Sequence, residues 1–308
     1  MGARLLVVGL LLFVAACSDG STSKGGTGTT PPECTADGVT ATDIPYATRP
    51  GTPAGLTSLD VYAPTRAAGK CRAPIVVWVH GGSWRKGDKS NNVGDKIPLF
   101  NEAGYMFVSV NYRLTDPAAP DPVVYPAHNE DVAAALAWLV EHADEYGGDP
   151  RRIAVLGHSA GAAIVAAVVT DERYLQAEQL DLDAVACAGP LDTEGFDVTA
   201  RITGGGRAAT LYGEVFPDPA RWREASPIAH VEPDKDIPPM LVVERGAPPR
   251  RAILGEFVAA LEGADVGATV IDGGSLTHGA VNSEIGAPGD TVMTPPVMSF
   301  LENCFEAA

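Results

Sequence analysis

Basic residues are scarce in this 308-residue chain. It has 22 lysines and arginines against 39 aspartates and glutamates, which gives a formal net charge of −17. A protein that binds nucleic acid needs a basic surface to displace counterions from the phosphates, so the composition argues against nucleic acid as a partner. The same acidity argues against attraction to anionic lipid through the protein's own charge. Because 45% of the residues are hydrophobic, the chain can bury a large core and is too apolar to be disordered.

Long hydrophobic runs are lacking beyond the N-terminus. The one candidate, Leu5 to Ala16, has about a dozen residues, fewer than the roughly 20 that cross a bilayer as a helix. Arg4 precedes this run, and small residues lead from it to Cys17. The arrangement resembles a bacterial lipoprotein signal, in which the cysteine receives the lipid. We therefore predict a signal peptide at 1–16 and lipid attachment at Cys17, with an ordinary secretory signal as the alternative.

Apolar side chains are also rare just after Cys17. Residues 17–33 are rich in Ser, Gly, Thr and Pro, a composition typical of a flexible tether. The tether would hold a domain at 34–308 outside the cytoplasm on a bacterial membrane, with the N-terminal lipid as its only membrane contact. The sequence does not indicate an oligomeric state.

The five cysteines lack the C-x₂-C spacing of a zinc site. If Cys17 carries lipid, the other four allow two disulfides in an exported protein, in three possible pairings. Cys34 precedes the first strand-like stretch and Cys71 follows the second, so a hairpin would bring these two together. The sequence therefore favours Cys34–Cys71, and Cys187–Cys304 stays possible.

Strand-like and helical patterns alternate along the rest of the chain. Short segments with apolar or alternating residues predict eight strands, at 38–48, 56–63, 75–80, 105–111, 153–156, 184–188, 240–243 and 268–271. Longer segments predict helices at 129–146, 160–169 and 252–261, and the segment 294–305 closes the chain. This alternation is typical of an α/β fold in which helices cover both faces of a mostly parallel sheet. The Gly- and Pro-dense segment 189–239 is a possible cap over one end of the sheet.

The strongest motif is G-x-S-x-G at Gly157–Gly161, between a buried strand and an apolar helix. This is the context of a nucleophile elbow, a sharp turn that exposes the serine hydroxyl. The motif predicts that Ser159 is a nucleophile.

A second glycine-rich motif, His80-Gly-Gly-Ser-Trp, follows another buried strand. Acyl transfer needs hydrogen-bond donors aimed at the developing oxyanion, and glycines let the backbone approach closely. The backbone N–H groups of Gly82, Ser83 and Ala160 are the predicted oxyanion hole. His80 is expected to brace the loop.

These motifs occur in a recognisable order, together with Asn-Tyr-Arg-Leu at 111–114, Tyr-Pro-Ala at 125–127 and Gly-Asp-Pro-Arg-Arg-Ile at 148–153. The chain resembles α/β-hydrolase esterases with an HGG oxyanion-hole motif, the group around feruloyl and acetyl esterases, hormone-sensitive-lipase-like carboxylesterases and kynurenine-formamidase-like enzymes. The resemblance covers about 39–305. It implies the α/β-hydrolase fold, with an eight-stranded, mostly parallel sheet and an active site at the carboxyl ends of the strands.

Hydrolases of this fold carry nucleophile, acid and histidine in that order along the chain. Only His230 and His278 follow Ser159. His278 comes shortly after the last predicted strand, where the resemblance places the catalytic imidazole, so it is the predicted base. His230 precedes a strand and is expected to be structural.

The acid departs from the family pattern. The resemblance implies an aspartate shortly after the penultimate strand, but alanine and prolines stand there, at 247–249. Glu244, at the end of that strand, is the favoured substitute. Asp192, after the preceding strand, is the alternative, and a Ser–His dyad without an acid is a third possibility.

The leading functional prediction is a serine carboxylesterase that acts on small or aromatic carboxylic esters through an acyl-serine intermediate, with no metal and no cofactor. The expected partner is a small-molecule ester. A formamidase- or peptidase-type hydrolase is an alternative. A catalytically impaired hydrolase fold acting as a surface binding module is another, which the missing acid favours and the intact motifs oppose.

Overall fold

The computed structural model describes residues 38–65 and 72–308. Cys17, Cys34 and Cys71 lie outside these ranges, so the signal peptide, the tether, the lipid attachment and the Cys34–Cys71 disulfide stay predictions. Within the described residues, no helix is both long and apolar enough to cross a membrane.

An eight-stranded sheet runs through the described residues. The strands are β1 (Val39–Pro45), β2 (Ser58–Ala63), β3 (Ala73–Val79), β4 (Met106–Val110), β5 (Gly148–His158), β6 (Cys187–Leu191), β7 (Met240–Glu244) and β8 (Ala268–Asp272). Their order across the sheet is β1-β2-β4-β3-β5-β6-β7-β8. Strand β2 is antiparallel to β1 and β4, and the other neighbours are parallel. The predicted mostly parallel sheet is confirmed.

Helices cover both faces of this sheet. In chain order, the described helices are α1 (Lys96–Glu102), α2 (Ala127–His142), α3 (Ala160–Thr170), α4 (Arg173–Ala177), α5 (Val198–Thr203), α6 (Gly206–Val215), α7 (Pro248–Gly263), α8 (His278–Ser283) and α9 (Thr294–Ala307). Strand β3 is continuously apolar in sequence because helices cover it on both faces of the sheet. Ile75 and Val77 join a core with α2, α3 and α7, whereas Val76 and Trp78 join a second core with α1, α8 and α9. Successive side chains point to opposite faces, and both faces are buried.

Strand β6 occupies a special place in the sheet. It pairs along its length with β5, but its ladder with β7 has a single registered pair, Ala188 with Met240. Pro190 has no N–H to offer to a ladder. At the start of β6, a disulfide joins Cys187 to Cys304 of α9. The Cys187–Cys304 pairing that the sequence left open is therefore present.

Candidate active site

Ser159 stands between β5 and α3, in the turn that G-x-S-x-G predicts. Its φ and ψ are 58° and −114°, a conformation that only tight surroundings hold for a residue with a side chain. Its N–H donates to the Leu191 carbonyl at 3.2 Å. A Cβ on Gly161 would collide with the Val79 carbonyl, and one on Gly157 would collide with Gly161. Both glycines are thus required by the close approach of β5, α3 and β3.

His278 begins α8 and reaches the serine directly. Its Nε2 lies 2.9 Å from Ser159 Oγ, and its Nδ1 lies 2.5 Å from Oδ2 of Asp192. With the Nδ1–H donated to the carboxylate, Nε2 is left to accept the hydroxyl proton. The His278 side chain is 44% exposed and that of Asp192 only 1%. The imidazole is therefore open to the cavity on one side and anchored in the protein on the other.

Asp192 follows β6 directly and has a left-handed backbone, with φ at 61°. Arg250 donates to its Oδ1 from Nε at 3.1 Å and from Nη2 at 2.5 Å, and Arg245 Nη1 donates to Oδ2 at 2.8 Å. Burial alone would raise the pKa of Asp192, but the hydrogen bond from His278 and the charge of Arg250 outweigh it, and the pKa is lowered. Asp192 is therefore an ionised carboxylate facing the imidazole.

The structure contradicts the favoured placement of the acid. Glu244 ends β7 with an exposed side chain, although the four residues before it in the strand are buried. It lines a neighbouring cavity with Arg251 and Asp272, and no hydrogen bond joins it to His278. The alternative, Asp192, holds the position beside the imidazole, so the geometry favours Asp192 over Glu244 and over a dyad without an acid.

The predicted oxyanion loop follows β3. Gly82, Ser83 and Trp84 all have positive φ, at 126°, 59° and 58°. Ser83 and Ala160 line the same cavity as Ser159, and Gly82 directly precedes Ser83 in the loop. Within the described residues, neither the Gly82 nor the Ser83 N–H donates to a protein acceptor. The Ala160 N–H begins α3, whose helix dipole favours negative charge at this end.

His80 braces this loop, as predicted. Its Nδ1 lies 2.8 Å from the Gly81 carbonyl, to which it donates, and its ring stacks on Tyr112 with centroids 4.4 Å apart. The Tyr112 hydroxyl donates to the His80 carbonyl at 2.9 Å. Burial lowers the pKa of His80, which keeps the ring neutral.

Comparison with known proteins adds the family. A family model named BD-FAE matches residues 59–247, more than half of the 308-residue chain. The chain belongs to the BD-FAE family. The match includes Ser159 and Asp192, while His278 lies beyond it.

The BD-FAE chain is also similar to named esterases. Esterase LipQ of Mycobacterium tuberculosis is 31% identical over 255 residues, which are 77% of this chain and 55% of LipQ. Carboxylesterase NlhH of the same organism is 41% identical over 114 residues, 36% of this chain and 34% of NlhH. The chain thus spans about half the length of the first relative and a third of the second. A crystal structure of esterase B from Lactobacillus rhamnosis has a TM-score of 0.70 at 17% identity, over 89% of this chain and 88% of that chain. This structural likeness confirms the α/β-hydrolase fold.

His158, the variable residue of the G-x-S-x-G in this BD-FAE chain, also serves the site. Its Nε2 lies 2.8 Å from the His278 carbonyl, to which it donates. Burial, assisted by the charge of His278, lowers the pKa of His158 to about 4, so the ring is neutral near pH 7. Ligand atoms of His158, Asp192 and His278 lie within 4.8 Å of one another, which a metal ion could use. The hydrogen bonds that join these three residues account for their proximity without a bound metal ion.

A cavity of about 460 Å³ opens over Ser159. The predicted cap segment, 189–239, contributes α5 and α6, and α6 supplies part of the cavity wall. The apolar and aromatic wall residues are Trp84, Ala208, Leu211, Tyr212 and Ala247. The charged wall residues are Asp192, Glu194, Arg245 and Arg250.

Sequence reasoning missed Arg245 and Arg250, which this BD-FAE chain presents beside Asp192. They stand in the segment where the family acid was expected. Two arginines facing a site need carboxylate partners, because a buried unpaired guanidinium is costly. Their presence after β7 was an indirect signal that a carboxylate from elsewhere in the fold lies beside this segment.

Proposed function

We propose that this protein is a serine carboxylesterase that hydrolyses small or aromatic carboxylic esters through an acyl intermediate on Ser159. The observation that carries the proposal is the unbroken hydrogen-bonded chain from Ser159 Oγ through His278 to Asp192, at the floor of an open cavity. The proposal gives Ser159 the role of nucleophile, His278 that of base and Asp192 that of acid.

In the first half of the reaction, Ser159 Oγ attacks the ester carbonyl carbon while His278 Nε2 takes the hydroxyl proton. The carbonyl oxygen becomes an oxyanion, which the N–H groups of Gly82, Ser83 and Ala160 stabilise. When the tetrahedral intermediate collapses, the bond to the alcohol oxygen breaks and His278 gives its proton to that oxygen. The alcohol leaves, and the acyl group stays on Ser159.

In the second half, water takes the place of the alcohol. His278 removes a proton from water as its oxygen attacks the acyl carbon, and the same imidazole returns the proton to Ser159 Oγ. Asp192 holds the imidazole in one tautomer and stabilises the imidazolium that forms twice in the cycle. The products are the carboxylic acid and the regenerated enzyme. The proposal requires no metal and no cofactor.

The names of the relatives support an ester substrate, because LipQ is an esterase and NlhH a carboxylesterase. The aromatic wall supports small or aromatic acyl groups, since Trp84 and Tyr212 meet edge to face at 5.1 Å beside the serine. The binding-module alternative rested on a missing acid, and the position of Asp192 removes that reason. No contact in the site favours the formamidase or peptidase alternative.

The activity is tested with p-nitrophenyl acetate, with and without a serine-directed phosphonate. Steady release of p-nitrophenol that the phosphonate abolishes, together with a phosphonyl adduct on Ser159 by mass spectrometry, is the expected result. A panel of feruloyl esters, acetyl-xylan and longer acyl esters then ranks the substrates. If the protein neither turns over esters nor reacts with the phosphonate, it is a binding module and the proposal fails.

We also propose that the protein is a lipoprotein outside the cytoplasm. The N-terminal sequence supports this, and so does the Cys187–Cys304 disulfide, because disulfides form and persist in oxidising compartments. Mass spectrometry of protein from bacterial membranes is expected to find a lipid on Cys17, and Cys17→Ser protein is expected to leave the membrane fraction or to stay uncleaved. If Cys17 of the wild type carries no lipid, the proposed anchor is wrong and the protein is simply secreted.

A further inference from the structure

A row of alternating charges extends from Asp192 away from His278. Arg250 lies between two carboxylates, because its Nε and Nη2 bind Asp192 and its Nη1 lies 3.1 Å from Oε2 of Glu194. Glu194 in turn lies 3.4 Å from Nε of Arg201 on α5. The Arg250 side chain is only 18% exposed. Its guanidinium is therefore fixed from both sides and presents a rigid fork to Asp192.

The two oxygens of Asp192 have different partners. Oδ1 accepts two N–H groups of Arg250, whereas Oδ2 accepts from Arg245 Nη1 and from His278 Nδ1. A buried carboxylate oxygen without a donor is strongly unfavourable, so without Arg250 the carboxylate would turn or draw in water. Either change would move Oδ2 away from the imidazole.

We infer that Arg250, assisted by Arg245, is a positioning residue of the reaction, which holds the relocated acid Asp192 so that Oδ2 faces His278 Nδ1. The inference rests on the proposed function. The segment after β7, where the family acid was expected, thus supplies two arginines, the clamp of Arg245 and Arg250, for an acid that follows β6.

The clamp also sets the charge around the imidazole. Asp192, which follows β6, faces His278. Arg245 approaches Asp192 from the loop after β7, and Arg250 approaches it from α7. The neutral ring of His158, at the end of β5, packs against the His278 ring. Beyond this shell, Glu194 pairs with Arg250, and Lys96 of α1 donates to the Asn282 carbonyl of α8. Removing the charge of Arg250 favours the protonated, inactive imidazole, because a nearby positive charge repels the imidazolium.

The test uses Arg250→Gln and Arg250→Lys in the full chain, with p-nitrophenyl acetate as the probe. In Arg250→Gln we expect kcat to fall between about tenfold and a hundredfold with little change in KM, because the imidazole loses its orientation. The acidic limb of the kcat/KM profile is expected to move to higher pH by about one unit. Arg250→Lys keeps the positive charge but lacks the two-pronged guanidinium. The acidic limb of its kcat/KM profile should therefore stay near the wild-type pH, while its kcat lies between those of the wild type and Arg250→Gln.

Arg251→Gln is the matched control. Arg251 is the next residue on α7 and is exposed, so this change removes the same charge without touching Asp192. Its kcat and profile should equal those of the wild type. Arg245→Gln provides a second variant of the clamp if Arg250→Gln does not fold, and circular dichroism of each variant checks the fold.

A double-mutant cycle separates positioning from a general structural role. If Arg250 acts through Asp192, Arg250→Gln should cause little further loss of kcat in an Asp192→Asn background. A full additional loss in that background, or a wild-type kcat and pH profile in folded Arg250→Gln, overturns the inference. A wild type that hydrolyses no ester would instead overturn the proposed function itself.

Discussion

Ser159→Ala protein is expected to lose at least about three orders of magnitude in kcat for p-nitrophenyl acetate, because the attacking oxygen is gone while the oxyanion donors remain. The fold should be unchanged. Alanine fits wherever serine fits, and the turn is held by the Ser159 backbone N–H and by the glycines on either side. Steady-state kinetics with active-site titration of the wild type measures the loss.

Ser299→Ala is a suitable control, since Ser299 is an exposed serine on α9 that lines a different cavity. Its kcat should match the wild type. If folded Ser159→Ala protein keeps phosphonate-sensitive turnover comparable to that of the Ser299→Ala control, another residue is the nucleophile.

Asp192→Asn and Glu244→Gln should have very different effects. Asparagine leaves the shape of the site nearly intact but cannot hold His278 in the required tautomer, so we expect kcat to fall by about 10⁴. Glu244 is exposed and not bonded to His278, so Glu244→Gln should change kcat less than about twofold. Each variant is measured as kcat and kcat/KM across pH, after its circular dichroism has been matched to the wild type.

Comparison of Asp192→Asn with Glu244→Gln shows which carboxylate acts as the acid. A loss confined to Glu244→Gln would show that the imidazole turns towards β7 during catalysis. If neither variant lowers kcat tenfold while His278→Ala does, the site works as a dyad and Asp192 serves the fold alone.

The fold follows from the sequence because its signals are local. A run such as Ile75 to Val79 is continuously apolar, and only a strand buried on both faces suits that pattern. The G-x-S-x-G turn is equally local, since the glycines, the strand and the helix are contiguous in the chain. Ser83 comes from the end of β3, which pairs with β5, so the sheet brings it to the same cavity as Ser159 and Ala160.

The acid could not be assigned this way, because its identity depends on which strand end faces His278. Glu244 and Asp192 both end parallel strands at the same edge of the sheet, and 86 residues separate Asp192 from His278. The side-chain direction at the end of β7 and the left-handed backbone of Asp192 decide the matter, and neither is written in composition or periodicity. The arginines after β7 indicate a nearby carboxylate only indirectly, because the sequence does not show that their partner is Asp192.

The sparse pairing of β6 with β7 gives the active site a mechanical role. Ser159 and Asp192 belong to the part of the sheet that ends at β6, whereas His278, Arg245 and Arg250 follow strands on the far side of that junction. The backbone ladder there has a single registered pair, so the ion pairs and hydrogen bonds of the site help to fasten the two parts of the sheet together. The side chains that orient the imidazole therefore also add to the apolar contacts that hold the two parts of the sheet together.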